Sequence, residues 1–263
     1  MKTVGFIGTG NMGSALARAV AGSGRAERLL LANRSPDKAS RLAAELGAET
    51  ADNRRTAAEA DWLFLAVKPR QLDGMLAGIR DVLEARTTRF VILSMVAGKE
   101  LSSLEEIFPP ETPIIRLMPN IPVAAGAGVT LFCASAAVTA ADKAAFRALL
   151  GESGLVAELE ERLLDAATGV AGCGTAYAAM FVEALADGAV ACGLPRQDAL
   201  RFAEQMLLGT ARMLLESGEH PGALKDRVCS PGGSTIQGVR ALEEAGFRAA
   251  VMNAVIAAYE TEY

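Results

Sequence analysis

The sequence predicts an α/β protein in which a doubly wound parallel sheet is followed by an all-helical C-terminal domain. Up to residue 161, short apolar runs alternate with amphipathic segments, as expected for the strand–crossover units of a parallel sheet. From about Arg162 the strand signal stops and only helical patterns remain. We therefore predict one domain at residues 1–161 and a second at residues 162–263.

The first twenty residues follow the order strand, glycine turn, helix. An apolar run ends at Ile7, the sequence GTGNMG begins at Gly8, and apolar residues then recur at helical spacing. In this context the pattern is the dinucleotide-binding fingerprint of a Rossmann-type domain, whose helix N-terminus directs free N–H groups at the anion. Gly8 permits the tight turn, Gly10 lets the backbone approach a pyrophosphate, and Gly13 lets the helix pack on the strand. The alternative is a glycine-rich turn that binds no ligand.

The other elements are predicted from the same patterns. Almost continuous apolar runs indicate strands buried on both faces of a sheet, at residues 28–32, 48–50, 61–67, 89–95, 114–118, 128–134 and 154–158. Ser35 and Pro36 are typical of a helix N-cap and of the first helical position. Further helices are predicted at residues 71–84, 141–150, 163–168, 175–192, 196–217, 224–229, 234–244 and 247–262.

Charge and composition exclude several classes of function. The net charge of −5 and the pI near 5.2 argue against nucleic acid or a membrane as a partner, because anionic surfaces require a basic face. The chain has one histidine, His220, and four cysteines without C-x-x-C spacing. Hydrolase triads, disulfide frameworks and metal sites are therefore disfavoured, and we predict no metal. Because no signal-peptide pattern and no uninterrupted membrane-length apolar stretch is present, we expect a cytoplasmic protein.

The residues that end the second strand indicate the cofactor. A NAD-specific domain normally places Asp or Glu there to hold the ribose 2′-hydroxyl, whereas this chain has Asn33, Arg34 and Ser35. A carboxylate would repel a 2′-phosphate, while an arginine, a hydroxyl group and nearby amides can bind one. We therefore predict NADP as the cofactor, with NADPH preferred over NADH. A solvated surface charge is the alternative role for Arg34.

The predicted helix at residues 175–192 is apolar nearly all round its circumference. Such a helix is buried on every side, but a lone domain of about a hundred residues has too little interior to bury several helices. We therefore predict a homodimer in which the subunits share these helices. An unusually tight monomeric bundle is the alternative.

A second glycine-rich stretch, SPGGST at residues 230–235, precedes another predicted helix. Two glycines followed by two hydroxyl residues at a helix start form a nest that suits a carboxylate or a phosphate. The alternative is a simple helix N-terminus capped by Ser234 or Thr235.

Several runs together are recognisable: GFIGTGNM (5–12), FLAVKP (64–69), RLMPN (116–120), GCGTAY (172–177), GLPR (193–196) and LKDRVCSPGGST (224–235). They resemble the pyrroline-5-carboxylate reductase family along the whole chain, and the last run is similar to the signature loop of the family. Two positions depart from the family pattern, since Thr175 stands where proline is usual and Ile121 where threonine is usual. Both departures concern the shape of loops more than reacting groups.

The resemblance implies NADPH-dependent reduction of 1-pyrroline-5-carboxylate to L-proline, the last step of proline biosynthesis, by a homodimer or a larger assembly of dimers. It implies that the small-molecule substrate is held by Gly232, Gly233, Ser234 and Thr235, with Glu161 and Asp226 nearby. Thr235 is the expected catalytic residue, which relays a proton to the ring nitrogen unless solvent supplies it. The implied cofactor residues are Ile7, Gly8, Thr9, Gly10, Asn11, Met12, Asn33, Arg34, Ser35, Asn53, Ala66, Val67, Lys68, Pro69, Met95, Val96, Ala97 and Arg227.

Two rival interpretations stay open. One is another NADPH-dependent oxidoreductase, acting on a different imine or on a β-hydroxyacid. The β-hydroxyacid dehydrogenases resemble one another in using a lysine on a helix of the second domain, and this chain has no lysine between Lys143 and Lys225. The other is a non-catalytic NADPH-binding protein.

Overall fold

The computed structural model describes residues 2–261 and divides the chain into two compact units. The first unit comprises the residues up to Gly172 together with Thr261, and the second comprises Cys173–Glu260. This division falls beyond the predicted boundary at residue 161, because the helix Leu164–Ala171 packs on the strand Gly128–Ala134 of the first unit. Met1, Glu262 and Tyr263, at the ends of the predicted domains, lie outside the described residues.

One eight-stranded sheet forms the framework of the first unit, with strands β1 (Lys2–Ile7), β2 (Ala26–Ala32), β3 (Glu49–Thr50), β4 (Trp62–Leu65), β5 (Val91–Ser94), β6 (Ile114–Pro119), β7 (Gly128–Ala134) and β8 (Gly154–Glu158). The order across the sheet is β3-β2-β1-β4-β5-β6-β7-β8. Neighbouring strands run parallel except β6 and β7. The predicted doubly wound sheet is confirmed.

The pairing of β6 with β7 is antiparallel, a feature that the prediction of a doubly wound parallel sheet does not include. These strands are joined by a short connection that contains the 3₁₀ turn Ile121–Ala125. Parallel neighbours need a crossover of about a dozen residues or more, usually a helix. The short connection therefore forces the chain to return antiparallel.

Helices cover the faces of this sheet: α1 (Asn11–Gly22), α2 (Pro36–Leu46), α3 (Asn53–Glu59), α4 (Pro69–Ala77), α5 (Arg80–Glu84), α6 (Leu101–Glu105), α7 (Ala140–Leu150) and α8 (Leu164–Ala171). Buried apolar side chains fill the space between helices and sheet, with the rings of Phe6 and Phe64 stacked 4.2 Å apart between their centroids. The carboxyl ends of the parallel strands are thereby fixed on a rigid support.

Three local features of the structure differ from the predictions or add to them. The helix predicted at residues 71–84 is two helices, α4 and α5, because the chain turns at Gly78 and Ile79 to bury the isoleucine side chain completely. Helix α3 was not predicted, although the Asp52 carboxylate caps it by accepting a hydrogen bond of 2.7 Å from the Arg55 amide. Ser35 occupies the N-cap position of α2 as predicted, but its side chain makes no capping hydrogen bond.

The second unit is entirely helical, with α9 (Gly174–Ala191), α10 (Arg196–Ser217), α11 (Pro221–Val228), α12 (Ser234–Glu244) and α13 (Phe247–Tyr259). Helix α11 begins before the predicted residue 224, because Pro221 occupies its first turn and the His220 Nδ1 atom accepts a hydrogen bond from the Gly222 amide. The predicted end of the last helix, Glu262, lies outside the described residues.

The single chain does not bury helix α9. Ala186 is the one buried residue of this helix, and Met180 is 69% exposed. This exposure agrees with the prediction that two subunits share the helix, and it does not fit the alternative of a tight monomeric bundle. The stretch Glu161–Ala191 is also long and apolar enough to cross a membrane by length and composition. That criterion is weak for a single stretch, since a helix buried in a protein interface meets it equally well.

Candidate cofactor and substrate sites

A cleft of about 530 Å³ opens at the carboxyl ends of β1, β2 and β4. The strand order reverses between β1 and β4, and ligands of doubly wound sheets bind in the crevice at such a switch point. Many residues predicted to bind the cofactor meet there: Ile7, Gly8, Gly10, Asn33, Arg34, Ser35, Asn53, Ala66, Val67 and Lys68. The cleft is therefore the candidate dinucleotide site.

The glycines of the turn after β1 are required for different reasons. Gly8 has a φ of +107°, and a Cβ atom there would lie 2.3 Å from the Ala66 carbonyl oxygen. A Cβ atom on Gly13 would lie 2.3 Å from the Gly8 carbonyl oxygen. Gly10 differs, because no protein atom lies within 4 Å of the position of its missing Cβ. A glycine at this N-cap position leaves open space in which a ligand can approach the backbone.

The start of helix α1 is suited to an anion. Gly10 is the N-cap residue, no side chain caps the helix, and no acidic residue lies in its first turn. The first amides of a helix have no intrahelical acceptor, and the helix dipole favours negative charge there. The Thr9 hydroxyl is buried and has no hydrogen-bond partner among the described residues. These features fit a bound pyrophosphate.

The far end of the cleft carries positive charge. Arg34 and Lys38 line it, are exposed, and form no ion pair within residues 2–261. Asn33 is held in place, since its Oδ1 atom accepts from the Thr9 amide at 3.4 Å and its Nδ2 atom donates to the Ser35 carbonyl oxygen at 3.1 Å. Two unpaired cations beside a serine fit a 2′-phosphate. Lys38 was not predicted, although it lies one helical turn after Arg34.

Not every predicted cofactor residue lines this cleft. Met95 lies beside it, since its amide donates to the carbonyl oxygen of Leu65 at 3.1 Å. Gln71 and Met75 of α4 line the cleft but were not predicted; they follow at helical spacing from Lys68. The predicted residues outside the lining are Thr9, Asn11, Met12, Pro69, Met95, Val96, Ala97 and Arg227.

The predicted substrate loop lies in the helical unit, immediately before α12. Gly232 has a φ of +72°, and Gly233 is the N-cap residue, so capping by Ser234 or Thr235 is not observed. Both hydroxyl residues lie in the exposed first turn of the helix. The Gly233 amide donates to the Ser230 carbonyl oxygen at 3.1 Å, which closes the turn. Uncapped amides and two hydroxyl groups are thus available to an anion.

Two charged residues of the helical unit have partners of their own. Asp226 pairs with Lys225, and Arg227 pairs with Glu219 at 3.0 Å between Nη2 and Oε2. The predicted role of Asp226 beside the substrate and that of Arg227 at the cofactor stay predictions.

The predicted substrate residue Glu161 has two partners within the first unit. Its Oε1 atom accepts from the Nη1 atom of Arg116 at 2.9 Å and from the Leu101 amide at 2.7 Å. Arg116 is 2% exposed and was not predicted as a site residue. Cys133 stands opposite it on β7, and burial raises the pKa of its thiol to about 11, so this cysteine is not a thiolate nucleophile at neutral pH.

A first prediction concerns Gly10, where an added methyl group should affect ligand binding but not folding. Gly10→Ala should leave the melting temperature unchanged, because no protein atom meets the new methyl group. It should weaken NADPH binding about tenfold or more, since the methyl group projects where the pyrophosphate approaches. Fluorescence titration and thermal unfolding measure the two effects. Gly22→Ala on the same helix also has free space and should not weaken NADPH binding; unchanged NADPH binding in Gly10→Ala would place the pyrophosphate elsewhere.

Sequence models of two families match the chain. Residues 3–98 match the family described as NADP oxidoreductase, coenzyme F420-dependent. Residues 161–262 match the family described as pyrroline-5-carboxylate reductase dimerisation. The second match begins close to the predicted start of the helical domain.

Individual relatives are similar over almost the whole chain. The chain is 41% identical over 257 residues to the pyrroline-5-carboxylate reductase of Escherichia coli, which covers 97% of this chain and 94% of the relative. It is 46% identical over 208 residues to the enzyme of the same name from Synechocystis, covering 79% and 76%. The crystal structure of the Plasmodium falciparum pyrroline carboxylate reductase with NADP bound matches with a TM-score of 0.87 at 32% identity, covering 98% of this chain and 96% of that one.

Proposed function

The chain belongs to the pyrroline-5-carboxylate reductase family, and we propose that it reduces 1-pyrroline-5-carboxylate to L-proline with NADPH. The observation that carries this proposal is the 41% identity to a pyrroline-5-carboxylate reductase along nearly the whole length of both chains. The cleft at the end of β1 supports it, because its glycines and cations suit an NADP-type dinucleotide. The protein is then an oxidoreductase that acts on a C–N bond in proline biosynthesis.

The reaction requires few catalytic groups from the protein. When bound, NADPH supplies a hydride, which adds to the carbon of the protonated C=N bond and leaves a ring secondary amine. Because the protonated imine is already electrophilic, the main task of the protein is to hold the reactants in position. Gly8, Gly10 and the start of α1 hold the pyrophosphate, while Arg34, Ser35 and Lys38 hold the 2′-phosphate.

The substrate carboxylate is assigned to the loop before α12. The Gly232 and Gly233 region leaves amides and the hydroxyl groups of Ser234 and Thr235 exposed at a helix N-terminus, which attracts an anion. Thr235 acts as the catalytic residue by relaying a proton to the ring nitrogen, and solvent is the alternative source of that proton. Asp226 lies in the preceding helix α11 and is proposed to contribute nearby.

A β-hydroxyacid dehydrogenase is a weaker proposal for this chain. Such chemistry uses a lysine on a helix of the second domain, and the helical unit contains only Lys225, which pairs with Asp226. A non-catalytic NADPH-binding protein would need the cofactor cleft but not the SPGGST loop. Following NADPH absorbance with synthetic pyrroline-5-carboxylate tests all three proposals. Oxidation of NADPH that depends on the imine supports the reductase, and NADPH binding without turnover supports the non-catalytic NADPH-binding protein.

The helical unit is proposed to form a homodimer in the cytoplasm. Its match to a dimerisation family and the exposure of apolar residues on α9 support this assembly. A larger assembly of dimers is compatible with the same surfaces, and sedimentation measurements at micromolar concentration distinguish the two.

A second prediction concerns the choice of cofactor. Arg34→Ala should raise the Michaelis constant for NADPH about tenfold, since a contact to a charged phosphate contributes about 1.5 kcal/mol or more. The Michaelis constant for NADH should stay unchanged, because NADH lacks the phosphate. Arg41→Ala is the control: this arginine is exposed on helix α2, which follows Arg34 in the chain, but it does not line the cleft. An equal loss with both cofactors would show that Arg34 supports the structure instead.

A further inference from the structure

The guanidinium of Arg116 is buried in the first unit and does not line the cofactor cleft. Its residue lies on β6 and is 2% exposed. The Nη1 atom donates to Glu161 at 2.9 Å and the Nη2 atom donates to Asp165 at 3.2 Å, while the Nε atom has no partner among the described residues. Burying a guanidinium costs several kcal/mol before its partners offset the cost. Stability alone therefore explains this arrangement poorly.

Glu161 connects this arginine to the segment that follows β5. The same Oε1 atom that accepts from Arg116 also accepts from the Leu101 amide at 2.7 Å. Leu101 is the first residue of α6 and ends the loop formed by residues 95–100. Charge on the carboxylate strengthens both hydrogen bonds. The end of the loop is thus tied to a buried arginine.

The other end of this loop lies at the cofactor cleft. The Met95 amide donates to the Leu65 carbonyl oxygen at 3.1 Å, and the next residue, Ala66, lines the cleft. Val96 is completely buried, and Gly98 has a φ of +69°. A loop held at both ends with a left-handed turn between them has little freedom to shift. Its end at Leu101 is held by the bond from the Leu101 amide to Glu161.

We propose that Arg116 and Glu161 are positioning residues of the reductase reaction, which fix the loop at residues 95–101 against the cofactor cleft. Glu161 then acts on the reaction through Leu101 rather than by binding substrate. This inference rests on the proposed reductase function. Misplacing a supporting element by about 1 Å can lower the rate of an oriented reaction about a hundredfold.

The chain offers a matched ion pair that lacks this connection. Arg89 binds the buried carboxylate of Asp142 through two hydrogen bonds, of 3.0 Å and 2.7 Å. Asp142 is 5% exposed and caps helix α7 with Thr139. Breaking this pair should destabilise the first unit without displacing the loop at residues 95–101.

The experiment compares Arg116→Met, Glu161→Ala and Glu161→Gln with Arg89→Met, below the lowest unfolding temperature. We expect kcat for imine reduction to fall about tenfold or more in Arg116→Met and Glu161→Ala. Glu161→Gln should keep part of this rate, because its amide oxygen still accepts from the Leu101 amide. Binding of adenosine 2′,5′-bisphosphate, which reports the Arg34 end of the cleft, should be unchanged. Arg89→Met should lower the melting temperature and retain kcat.

Hydrogen exchange at the Leu101 amide provides a measurement that does not depend on activity. Glu161→Ala should accelerate this exchange, and Arg89→Met should not. Unchanged exchange in Glu161→Ala, or equal losses of kcat in Arg116→Met and Arg89→Met, would overturn the positioning role. If Arg116→Met does not fold, the two Glu161 variants test the positioning role, because the Glu161 side chain is only half-buried. Absence of imine turnover in the unmodified protein refutes the proposed function alone, since the exchange measurement remains.

Discussion

Phe181→Asp is expected to leave the protein unfolded or aggregated. The Phe181 ring lies 5.9 Å from the Phe247 ring, between centroids, and lines an apolar cavity of about 580 Å³ formed by α9, α12 and α13. A dimer fills such a surface with a second set of apolar side chains, so the aspartate would be buried without a partner. The free energy that an unpaired buried charge costs is large compared with the marginal stability of a folded protein, so the variant should not fold.

The measurement is sedimentation together with circular dichroism over a range of concentrations. Because an obligate dimer has no stable folded monomer, the unmodified protein should sediment as a dimer or larger wherever it is folded. Leu155→Asp is the control, since Leu155 is 61% exposed on the edge strand β8 and the charge there can remain in water. Recovery of a well-folded, active Phe181→Asp monomer at micromolar concentration would refute the shared-helix arrangement.

The strands could be predicted because burial on both faces leaves a local trace in the sequence. Every residue of β4, Trp62–Leu65, is buried, and the corresponding apolar run is continuous. The direction of β7 leaves no such trace, since parallel and antiparallel central strands bury the same side chains. Only the short connection through Ile121–Ala125 distinguishes them, because parallel neighbours need a crossover of about a dozen residues or more.

Some residues of the candidate sites can be recognised from their neighbours in the sequence, whereas others are brought together only by the fold. The turn from Gly8 to Gly13 and the SPGGST loop are contiguous, so their chemistry can be read directly from neighbouring residues. Arg116 is visible locally only as a charge within an apolar strand, and its partners Glu161 and Asp165 come from a distant part of the chain. Such a pairing becomes visible only when the fold brings the elements together.

Burial of the apolar helix α9 in the helical unit depends on the assembly and not on the single chain. The all-round apolar surface of α9 predicts burial, yet Met180 and Leu185 remain exposed in one subunit. The pattern therefore indicates burial that one subunit does not provide. An apolar helix that its own chain does not cover is best explained by a second subunit, which is why Phe181→Asp has a larger expected effect than any cleft variant.

Thr235→Ala is expected to lower kcat/KM for the imine by about one to two powers of ten. The variant removes one hydroxyl group from the exposed first turn of α12, beside the uncapped amides that follow Gly233. A hydrogen bond to a charged carboxylate contributes about 1.5–3 kcal/mol, and each 1.4 kcal/mol corresponds to about tenfold. The loss should fall on the imine, measured by steady-state kinetics with NADPH at saturation.

Two comparisons make this result specific to the substrate loop. Thr235→Ser keeps the hydroxyl group and should restore most of kcat/KM, whereas a loss caused by altered packing of α12 would persist. Proline, as the product, should compete with the imine in the unmodified protein and compete less well in Thr235→Ala. NADPH binding by fluorescence titration should stay unchanged, because Gly8, Gly10 and Arg34 lie in the first unit. If Thr235→Ala weakens NADPH binding and leaves the Michaelis constant of the imine unchanged, the loop binds the cofactor, and the carboxylate site must be sought elsewhere.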